Sequence, residues 1–331
     1  MAQHAHIVGT GSSMPERILF NKDLEEIVDT NDEWIVRRSG IRERRISSKV
    51  REESTTDLAT QASARALEMA GVSPGELDMI VVGTVTPDRQ FPSTGCMVQE
   101  ALKAEKAAAF DVSAGCSGFL YALTMVNNAI RCGTCGTALV VGVERLSSII
   151  NWDDRGTCVL LADGAGAAVV RSVPEEGGIL SSHLRSDGTL WELLYSADGS
   201  SRTPAILHDI NIRPFHLRMD GNPLFRRAIG CMSEIAREAL GHNSLSGEDI
   251  SLVVPHQANI RIIQGLANNL RIPMEKVYTN IERYGNTSSA TIPIALDEAN
   301  RKGLLKKGDH VLLVTFGAGL TWGASILEWS M

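Results

Sequence analysis

Apolar residues along this chain follow two patterns, one typical of buried strands and one typical of amphipathic helices. Residues 80–82 and 312–314 are continuously apolar, as in strands of a sheet that helices cover on both faces. Residues 107–112 form a similar stretch, and residues 119–130 carry large apolar side chains at helical spacing. Because such strands and helices alternate along the chain, we expect an α/β fold.

Part of this pattern occurs twice, at an offset of about 172 residues. In each half an Ala-Leu pair is followed by a polar turn and a buried strand, at residues 66–82 and again at residues 239–254. Residues 136–141 align with residues 308–313 at the same offset. Two matches at one spacing indicate that the chain is a duplication of one α/β unit.

The duplication predicts where the chain divides. A polar stretch around residues 172–177 separates the two repeats, which gives a first half of residues 1–173 and a second half of residues 174–331. The first half also carries a segment of about residues 145–163 without a clear counterpart in the second half. This segment is predicted to be an insertion.

Composition narrows the classes of function. The 331 residues carry a formal net charge of −7 and show no basic stripe, which argues against a nucleic-acid partner. No apolar stretch approaches the roughly 18 residues of a membrane span, and the first residues lack the pattern of a secretory signal. We therefore expect a cytoplasmic protein without membrane contact, whose six cysteines are mostly reduced.

Cys116 lies between the predicted strand at residues 107–112 and the predicted helix at residues 119–130. At such a strand-to-helix turn, the helix dipole and free N–H groups favour a thiolate. Gly115 and Gly118 allow a tight turn and the close approach of a substrate. Packing in the core is the ordinary role of a small buried cysteine, but this position makes Cys116 a candidate nucleophile.

The other cysteines lack such a setting. Cys132 and Cys135 form a C-x-x-C that follows a predicted helix, whereas a thioredoxin-type pair begins one. No second C-x-x-C or histidine pair completes a zinc site, so packing is favoured over redox or metal function and no metal is expected. Cys96, Cys158 and Cys231 show no motif and are predicted to be packing residues.

Two further candidates come from the second half. His256 follows a predicted strand, at the carboxyl end where ligands gather in α/β sheets. Asn286 lies between a predicted short strand at residues 276–280 and a predicted helix, and helix N-capping is its ordinary role. The repeat offset makes the Asn286 turn the counterpart of the Cys116 turn. We therefore expect a cysteine, a histidine and an asparagine to converge from three strand ends.

A glycine-rich turn at residues 316–323 follows an apolar strand. Glycines at such a turn let backbone N–H groups approach a reacting carbonyl as an oxyanion hole, although a plain β-turn is equally compatible with the sequence. A phosphate-binding loop is not indicated, because no Gly-Lys-Ser/Thr follows.

The segments around these residues resemble the signature segments of β-ketoacyl-acyl carrier protein synthase III. They are Ala114-Gly115-Cys116-Ser117-Gly118, Pro255-His256-Gln257-Ala258-Asn259, Tyr284-Gly285-Asn286-Thr287-Ser288-Ser289 and Phe316-Gly317-Ala318-Gly319-Leu320-Thr321-Trp322-Gly323. They occur in the order and spacing of that family, and residues 32–42, 154–157 and 163–167 are similar to it too. The resemblance extends over essentially the whole chain.

This resemblance implies a thiolase fold, in which the duplicated halves form a five-layered α-β-α-β-α core, and a homodimer. It implies an enzyme that initiates type II fatty acid synthesis. Acyl-coenzyme A, with acetyl as the default primer, would acylate Cys116, and a decarboxylative condensation with malonyl-acyl carrier protein would follow. The coenzyme A thioester is then a substrate, no cofactor is expected, and the acyl carrier protein is a partner. Elongating synthases use two histidines, so the asparagine favours the initiating type.

The resemblance also implies roles for individual residues. The implied catalytic residues are Cys116, His256 and Asn286, and the implied substrate-binding residues are Trp34, Arg38, Phe91, Arg155, Asn259 and Phe316. Trp34 and Arg155 would hold the adenine of coenzyme A between them, and Phe91 would reach into the partner's acyl pocket. The backbone N–H groups implied for the oxyanion hole are those of Cys116, Ala318 and Gly319. The implied carrier-protein contacts are Arg226, Arg227 and Arg261.

Two alternatives stay open. A specialised relative that condenses another primer for a secondary metabolite would share every catalytic residue. A non-catalytic binding protein on the same scaffold would usually lack the nucleophile, whereas Cys116 is present. The chain also departs from relatives in the helix after His256, where Asn268 and Asn269 stand in places that are often basic. A weaker or shifted docking surface is therefore expected.

Overall fold

A computed structural model describes residues 3–48, 53–196 and 217–331 of the chain. The strands are β1 (His4–Ser13), β2 (Ile18–Phe20), β3 (Glu43–Arg45), β4 (Met79–Gly83), β5 (Ala108–Val112), β6 (Thr137–Arg145), β7 (Asp163–Val173), β8 (Gly178–Ser186), β9 (Leu194–Ser196), β10 (Leu217–Met219), β11 (Leu252–Pro255), β12 (His310–Gly317) and β13 (Thr321–Glu328). The α-helices are α1 (Asn21–Glu25), α2 (Asp32–Ser39), α3 (Thr55–Ala70), α4 (Thr94–Leu102), α5 (Gly118–Arg131), α6 (Arg155–Cys158), α7 (Gly221–His242), α8 (Ile260–Leu270), α9 (Ile281–Tyr284) and α10 (Thr291–Arg301).

The two larger sheets share one pattern of strand pairing. In the first sheet, of order β1-β7-β6-β4-β5, β4 and β6 are parallel, while β7 is antiparallel to both β6 and β1. In the second sheet, of order β11-β12-β13-β8, β11 and β12 are parallel, while β13 is antiparallel to both β12 and β8. The four strands of the second sheet therefore repeat the order and orientation of β4, β6, β7 and β1 in the first, as the predicted duplication requires.

The predicted strand at residues 276–280 is wrong. Val277 makes a single parallel bridge to Val253, after a short 3₁₀ turn at Met274–Lys276. The side chain of Gln257 then takes the place of a neighbouring strand, since its amide donates to the Tyr278 carbonyl oxygen and accepts from the Asn280 N–H. A side chain cannot extend a ladder, so the counterpart of β5 in the second half is reduced to this bridge.

Helices separate and cover the two sheets in five layers. Helix α3 packs on the outer face of the first sheet, and α7 and α8 pack on the outer face of the second. Helices α5 and α10 lie between the sheets, where apolar residues of both halves form one continuous core. The predicted α-β-α-β-α order is confirmed. Among the described helices, none is long and apolar enough to cross a bilayer.

The loops at one end of the two sheets differ in length. In the second half β12 and β13 are joined by the three residues 318–320, whereas in the first half residues 146–162 lie between β6 and β7. This longer connection, which includes α6, lines the cavity described below with Leu146, Ile149 and Leu161. The duplicated core therefore supports one short loop and one long loop around the same opening.

Close contact between β4 and the start of α5 leaves no room for a side chain at Gly83. A β-carbon there would lie 2.5 Å from the backbone carbon of Gly118. Overpacking typically costs about 1–3 kcal/mol, so Gly83→Ala should lower the free energy of unfolding, measured by urea denaturation, by roughly this amount. The matched control is Gly230→Ala on the exposed face of α7, where nothing lies within 4 Å. That change should be neutral or stabilising, because alanine favours helix. Equal unfolding free energies for the two variants would contradict this packing.

Candidate active site

A cavity of about 620 Å³ opens where strand ends of the two sheets face each other. Cys116, His256 and Asn286 all lie on its wall. Cys116 follows β5, His256 follows β11, and Asn286 lies in the turn between α9 and α10. The predicted convergence of these three residues is therefore present, although Asn286 arrives from a turn and not from a strand.

Cys116 is the middle residue of a short 3₁₀ turn, Gly115–Ser117, that leads directly into α5. Gly115 has a φ of +55°, and a β-carbon there would lie 2.7 Å from the backbone nitrogen of Ala318. A β-carbon on Gly317 would lie 2.6 Å from the backbone nitrogen of Cys116. The nucleophile turn and the glycine-rich turn of the second half therefore touch through backbone atoms, which only glycine permits.

Two threonine hydroxyls fix these turns together. Thr315 donates to the carbonyl oxygen of Cys116 at 3.1 Å, and Thr321 donates to the carbonyl oxygen of Ala114 at 2.8 Å. Ala318 lines the cavity beside Cys116. The backbone of Ala318 therefore meets the nucleophile turn at the wall of the cavity.

Desolvation dominates the electrostatics of Cys116. The residue lines the cavity and is half-buried, and burial raises the pKa of the thiol to about 12. The nearby Ser288 hydroxyl acts in the opposite direction and lowers the pKa of the thiol, whereas the Glu144 carboxylate raises it further. The resting residue is therefore a thiol, and its proton must be removed before or during nucleophilic attack.

His256 is neutral. It is 3% exposed, and burial lowers the pKa of its imidazole to about 3. Its Nδ1 lies 2.7 Å from the Thr291 hydroxyl oxygen, which in turn lies 3.0 Å from the Ser288 carbonyl oxygen. A neutral ring carries one N–H. The Thr291 hydroxyl has one hydrogen, so while it donates to the Ser288 carbonyl oxygen it accepts from Nδ1–H of His256. If the hydroxyl turns to donate to Nδ1 instead, Nε2 carries the proton and can donate it into the cavity.

Asn286 is held by both its backbone and its side chain. Its N–H donates to the Leu160 carbonyl oxygen and its own carbonyl oxygen accepts from the Ala162 N–H, each at 2.9 Å. The side-chain Oδ1 accepts from the Ser288 N–H at 2.8 Å. Because this oxygen is used within the turn, the Nδ2 amino group is the donor that Asn286 can offer to the cavity.

At the mouth of the cavity, two arginines lie against an indole. The guanidinium of Arg155 is centred 4.8 Å from the Trp34 ring, and that of Arg38 lies 5.6 Å away. Asn259 links this corner to α8, since its Nδ2 donates to the Arg38 carbonyl oxygen and its Oδ1 accepts from the Arg261 N–H. The residues expected to bind coenzyme A are therefore neighbours in space.

Other residues named from the sequence lie in different places. Phe316 lines the cavity, whereas Phe91 lies on a turn outside its lining and is 83% exposed. Gly319 follows Ala318 on the exposed side of its turn. Arg226 and Arg227 are exposed on α7, and Arg261 lies at the cavity, with its guanidinium 5.2 Å from the Phe225 ring. The C-x-x-C pair has Cys132 exposed and Cys135 buried in the core, and all six cysteines are free.

Two side chains beside the nucleophile were not singled out from the sequence. Glu144, at the end of β6, is fully buried and accepts hydrogen bonds from the loop after β4 and from Ser288. Ser288 has a φ of +50°, which is uncommon for a residue with a side chain. Its number is 172 greater than that of Cys116, so the repeat offset alone marks it as the counterpart of the nucleophile.

Comparison with known proteins gives one consistent result. Residues 110–188 match the family 3-Oxoacyl-[acyl-carrier-protein (ACP)] synthase III, and residues 240–329 match its C-terminal family. A β-ketoacyl-[acyl-carrier-protein] synthase III from Caldanaerobacter subterraneus subsp. tengcongensis is 52% identical over 326 residues, which cover 98% of both chains. The relationship therefore extends over both halves.

Solved structures agree. The crystal structure of 3-oxoacyl-[acyl-carrier-protein] synthase III from Aquifex aeolicus VF5 has a TM-score of 0.91 at 48% identity and covers 98% of this chain and 100% of that one. The priming β-ketosynthase of the R1128 polyketide pathway has a TM-score of 0.94 at 37% identity, with 99% and 97% covered. The predicted thiolase fold is confirmed, and the chain belongs to the β-ketoacyl-[acyl-carrier-protein] synthase III family.

Proposed function

We propose that this chain carries out the initiating condensation of type II fatty acid synthesis. An acyl-coenzyme A thioester, with acetyl as the expected primer, acylates Cys116, and malonyl-acyl carrier protein then condenses with the acyl group. The observation that carries the proposal is the meeting of Cys116 at a helix start with neutral His256 and Asn286 in one cavity. No cofactor is needed, because the coenzyme A thioester is itself the substrate.

Acyl transfer places negative charge on the carbonyl oxygen of the incoming thioester. The backbone N–H groups of Cys116 and Ala318, and of Gly319 if that turn adjusts, would stabilise this oxyanion. Gly115 and Gly317 support the arrangement, since they allow the two turns to approach within backbone contact. Fixed donors of this kind lose no free energy on reorganisation when the charge develops.

The second step requires an enolate. Loss of carbon dioxide from the malonyl group leaves negative charge on its thioester oxygen, and Nδ2–H of Asn286 would donate to it. His256 would donate from Nε2–H in the tautomer in which the Thr291 hydroxyl turns from the Ser288 carbonyl oxygen to Nδ1. Neither group needs to be a strong base. The low pKa of His256 suits this role, because a neutral imidazole stays a hydrogen-bond donor without contributing a buried charge.

Trp34 and Arg155 would bind the adenine of coenzyme A. A ring stacked between an indole and a guanidinium separates them by roughly 7 Å, twice the ordinary contact distance of about 3.5 Å. Arg155 lies 4.8 Å from Trp34 and donates to the Asp29 carbonyl oxygen. The exposed Arg155 side chain would therefore move outward when the nucleotide binds.

We expect a homodimer in the cytoplasm. The strand β5 stands at one edge of the first sheet, and the exposed Phe91 lies on the turn before α4, next to it. An aromatic side chain that is 83% exposed suits a residue that reaches into the acyl pocket of a partner subunit.

Product analysis tests the proposed function. The purified chain, incubated with acetyl-coenzyme A and malonyl-acyl carrier protein, should form 3-oxobutyryl-acyl carrier protein, detected by mass spectrometry of the intact carrier.

Competition among acyl-coenzyme A primers separates this activity from that of a specialised ketosynthase. The 52% identity to a β-ketoacyl-[acyl-carrier-protein] synthase III, against 37% to the polyketide ketosynthase, favours the first activity, for which acetyl is the expected primer. A clear preference for octanoyl over acetyl and propionyl would contradict it.

Asn286 should serve the second half-reaction more than the first. Loss of one oxyanion donor typically lowers the rate a hundred- to thousandfold, about 2.7–4 kcal/mol. Asn286→Ala should therefore still form acyl-Cys116, but should release carbon dioxide from malonyl-acyl carrier protein roughly a hundredfold more slowly. The two steps are measured apart, as label retained on the protein from acetyl-coenzyme A and as carbon dioxide released.

Two controls separate the missing donor from a disturbed turn. Asn286→Asp keeps an acceptor for the Ser288 N–H but lacks the amino group, so it should show the same split between the steps. Asn268→Ala, on the exposed face of α8, should affect neither. A variant at Asn286 that loses acylation while it keeps decarboxylation would refute this division of labour.

Carrier docking should depend on local basic residues, because the chain is acidic overall. A double variant, Arg226→Glu with Arg261→Glu, should raise KM for malonyl-acyl carrier protein. It should leave KM for acetyl-coenzyme A unchanged. Exposed charge pairs contribute about 0.2–1 kcal/mol each, so an increase of a few-fold is expected. The control is Arg131→Glu, at the far end of α5 from Cys116. The same KM for the carrier protein in both variants would count against this surface.

A further inference from the structure

One buried carboxylate near the nucleophile has no role in the mechanism above. Glu144 is 0% exposed, and its carboxylate accepts from the Val85 N–H at 3.1 Å and from the Thr86 hydroxyl at 2.6 Å. The Thr84 hydroxyl donates to it at 3.3 Å. Buried acidic residues are rarely retained without a partner of opposite charge, yet the groups that face this carboxylate from the loop after β4 are hydroxyls and an N–H.

From the opposite side, Glu144 meets the second half of the chain. The Ser288 hydroxyl donates to Oε1 of Glu144 at 3.1 Å. Ser288 and Cys116 line the same cavity, and the two short turns that carry them pack against each other. The Ser288 hydroxyl, bonded to the carboxylate, is therefore placed beside the nucleophile. Cys116 is the titratable group coupled to Glu144 in this cluster, because the carboxylate raises the pKa of the thiol.

The backbone at Ser288 is adapted to this placement. With a φ of +50°, the residue adopts the left-handed conformation that usually favours glycine or asparagine. The Asn286 side chain holds the Ser288 N–H, and the Ser288 carbonyl oxygen accepts from Thr291. These contacts fix the turn so that the hydroxyl is directed at Glu144.

We propose that Cys116, Ser288 and Glu144 form a proton relay that carries one negative charge, and that Glu144 receives the thiol proton during acyl transfer. The proposal concerns the acylation step and in that respect rests on the proposed function. The S–H bond of Cys116 breaks and its proton passes to the Ser288 oxygen, while the Ser288 proton passes to Oε1 of Glu144. The negative charge moves from carboxylate to sulfur, so no second buried charge is created.

The rest of the step balances in the same way. The sulfur attacks the acyl carbon, and the bond from that carbon to the sulfur of coenzyme A breaks. The carboxyl proton returns through Ser288 to the departing coenzyme A thiolate, which leaves as the thiol.

The pKa values of the two neighbouring groups favour Glu144 as the acceptor. Burial raises the pKa of Glu144 to about 7, whereas burial lowers that of His256 to about 3. At neutral pH the carboxylate is thus the better matched proton acceptor.

Two rates test the relay when both are measured on the same variants. The first is acylation of the protein by acetyl-coenzyme A, and the second is alkylation of Cys116 by iodoacetamide between pH 5 and 10. In the wild-type chain, the alkylation rate should rise with pH up to about pH 7 and then level off. Above that pH Glu144 is ionised, and its negative charge opposes ionisation of the Cys116 thiol. In Glu144→Gln the rate should continue to rise about tenfold per pH unit.

Acylation should change in the opposite direction. Without the proton acceptor, Glu144→Gln should be acylated at least tenfold more slowly at pH 7, since general acid–base groups typically contribute 10²–10⁴-fold. Glu144→Asp keeps a carboxylate and should recover part of the rate and the levelling of alkylation. A structural loss is distinguished by urea denaturation, in which Glu144→Gln should unfold cooperatively with a slope close to that of the wild-type chain. An unfolded variant would instead lack this transition and would be alkylated faster than the wild-type chain at every pH, because its thiol is no longer buried.

Ser288→Gly tests the middle of the path. Glycine suits a φ of +50°, so this variant removes the hydroxyl without straining the backbone. It should lose acylation to a similar extent as Glu144→Gln, while the nearby carboxylate still makes alkylation level off. Wild-type acylation rates in either variant, or a wild-type alkylation profile without a break near pH 7, would overturn the relay. Failure of the wild-type chain to be acylated by any acyl-coenzyme A would instead refute the proposed function, and the alkylation profile is independent of that result.

Discussion

The exclusion of water from the ends of the strands is the constraint on which the rest of this site depends. It keeps the imidazole of His256 neutral, holds Cys116 as a thiol, and raises the pKa of Glu144 toward neutrality. Each shift has the same cause, since a low-dielectric environment disfavours the charged form of every group within it. The groups that surround these three side chains are accordingly hydroxyls, amides and backbone N–H groups. The proposed chemistry must then proceed by moving one negative charge among fixed donors.

The duplicated fold supplies this environment. Two related sheets face each other through α5 and α10, and their loops at one end enclose a cavity. The first half contributes the nucleophile at the start of α5, and the second contributes His256, Asn286 and Ser288 to the same cavity wall. The short loop between β12 and β13 touches the nucleophile turn through Gly317. Backbone contact between the halves therefore fixes the nucleophile turn of the first half against the second.

Sequence patterns were sufficient for the features that repeat or that belong to a local motif. The repeat offset and the apolar strands predicted the duplicated sheets, and the glycines around Cys116 predicted its strand-to-helix turn. Features that depend on contacts between distant residues were not predictable in this way. Gln257 replaces a strand by bonding residues 21 and 23 positions away, and Glu144 meets Ser288 across 144 positions. No local pattern marks such pairs, because a buried glutamate and a buried glutamine look like surface residues in a sequence.

The central claim is that Cys116 is the residue that accepts the acyl group. Its most direct test is peptide mapping by mass spectrometry after incubation of the intact chain with acetyl-coenzyme A. The six cysteines are all free thiols, so each is available for comparison in the same sample. One acetyl group per chain, found on the peptide that contains Cys116, is the expected result. An acetyl group on Cys132 or Cys135, with Cys116 unmodified, would contradict the account.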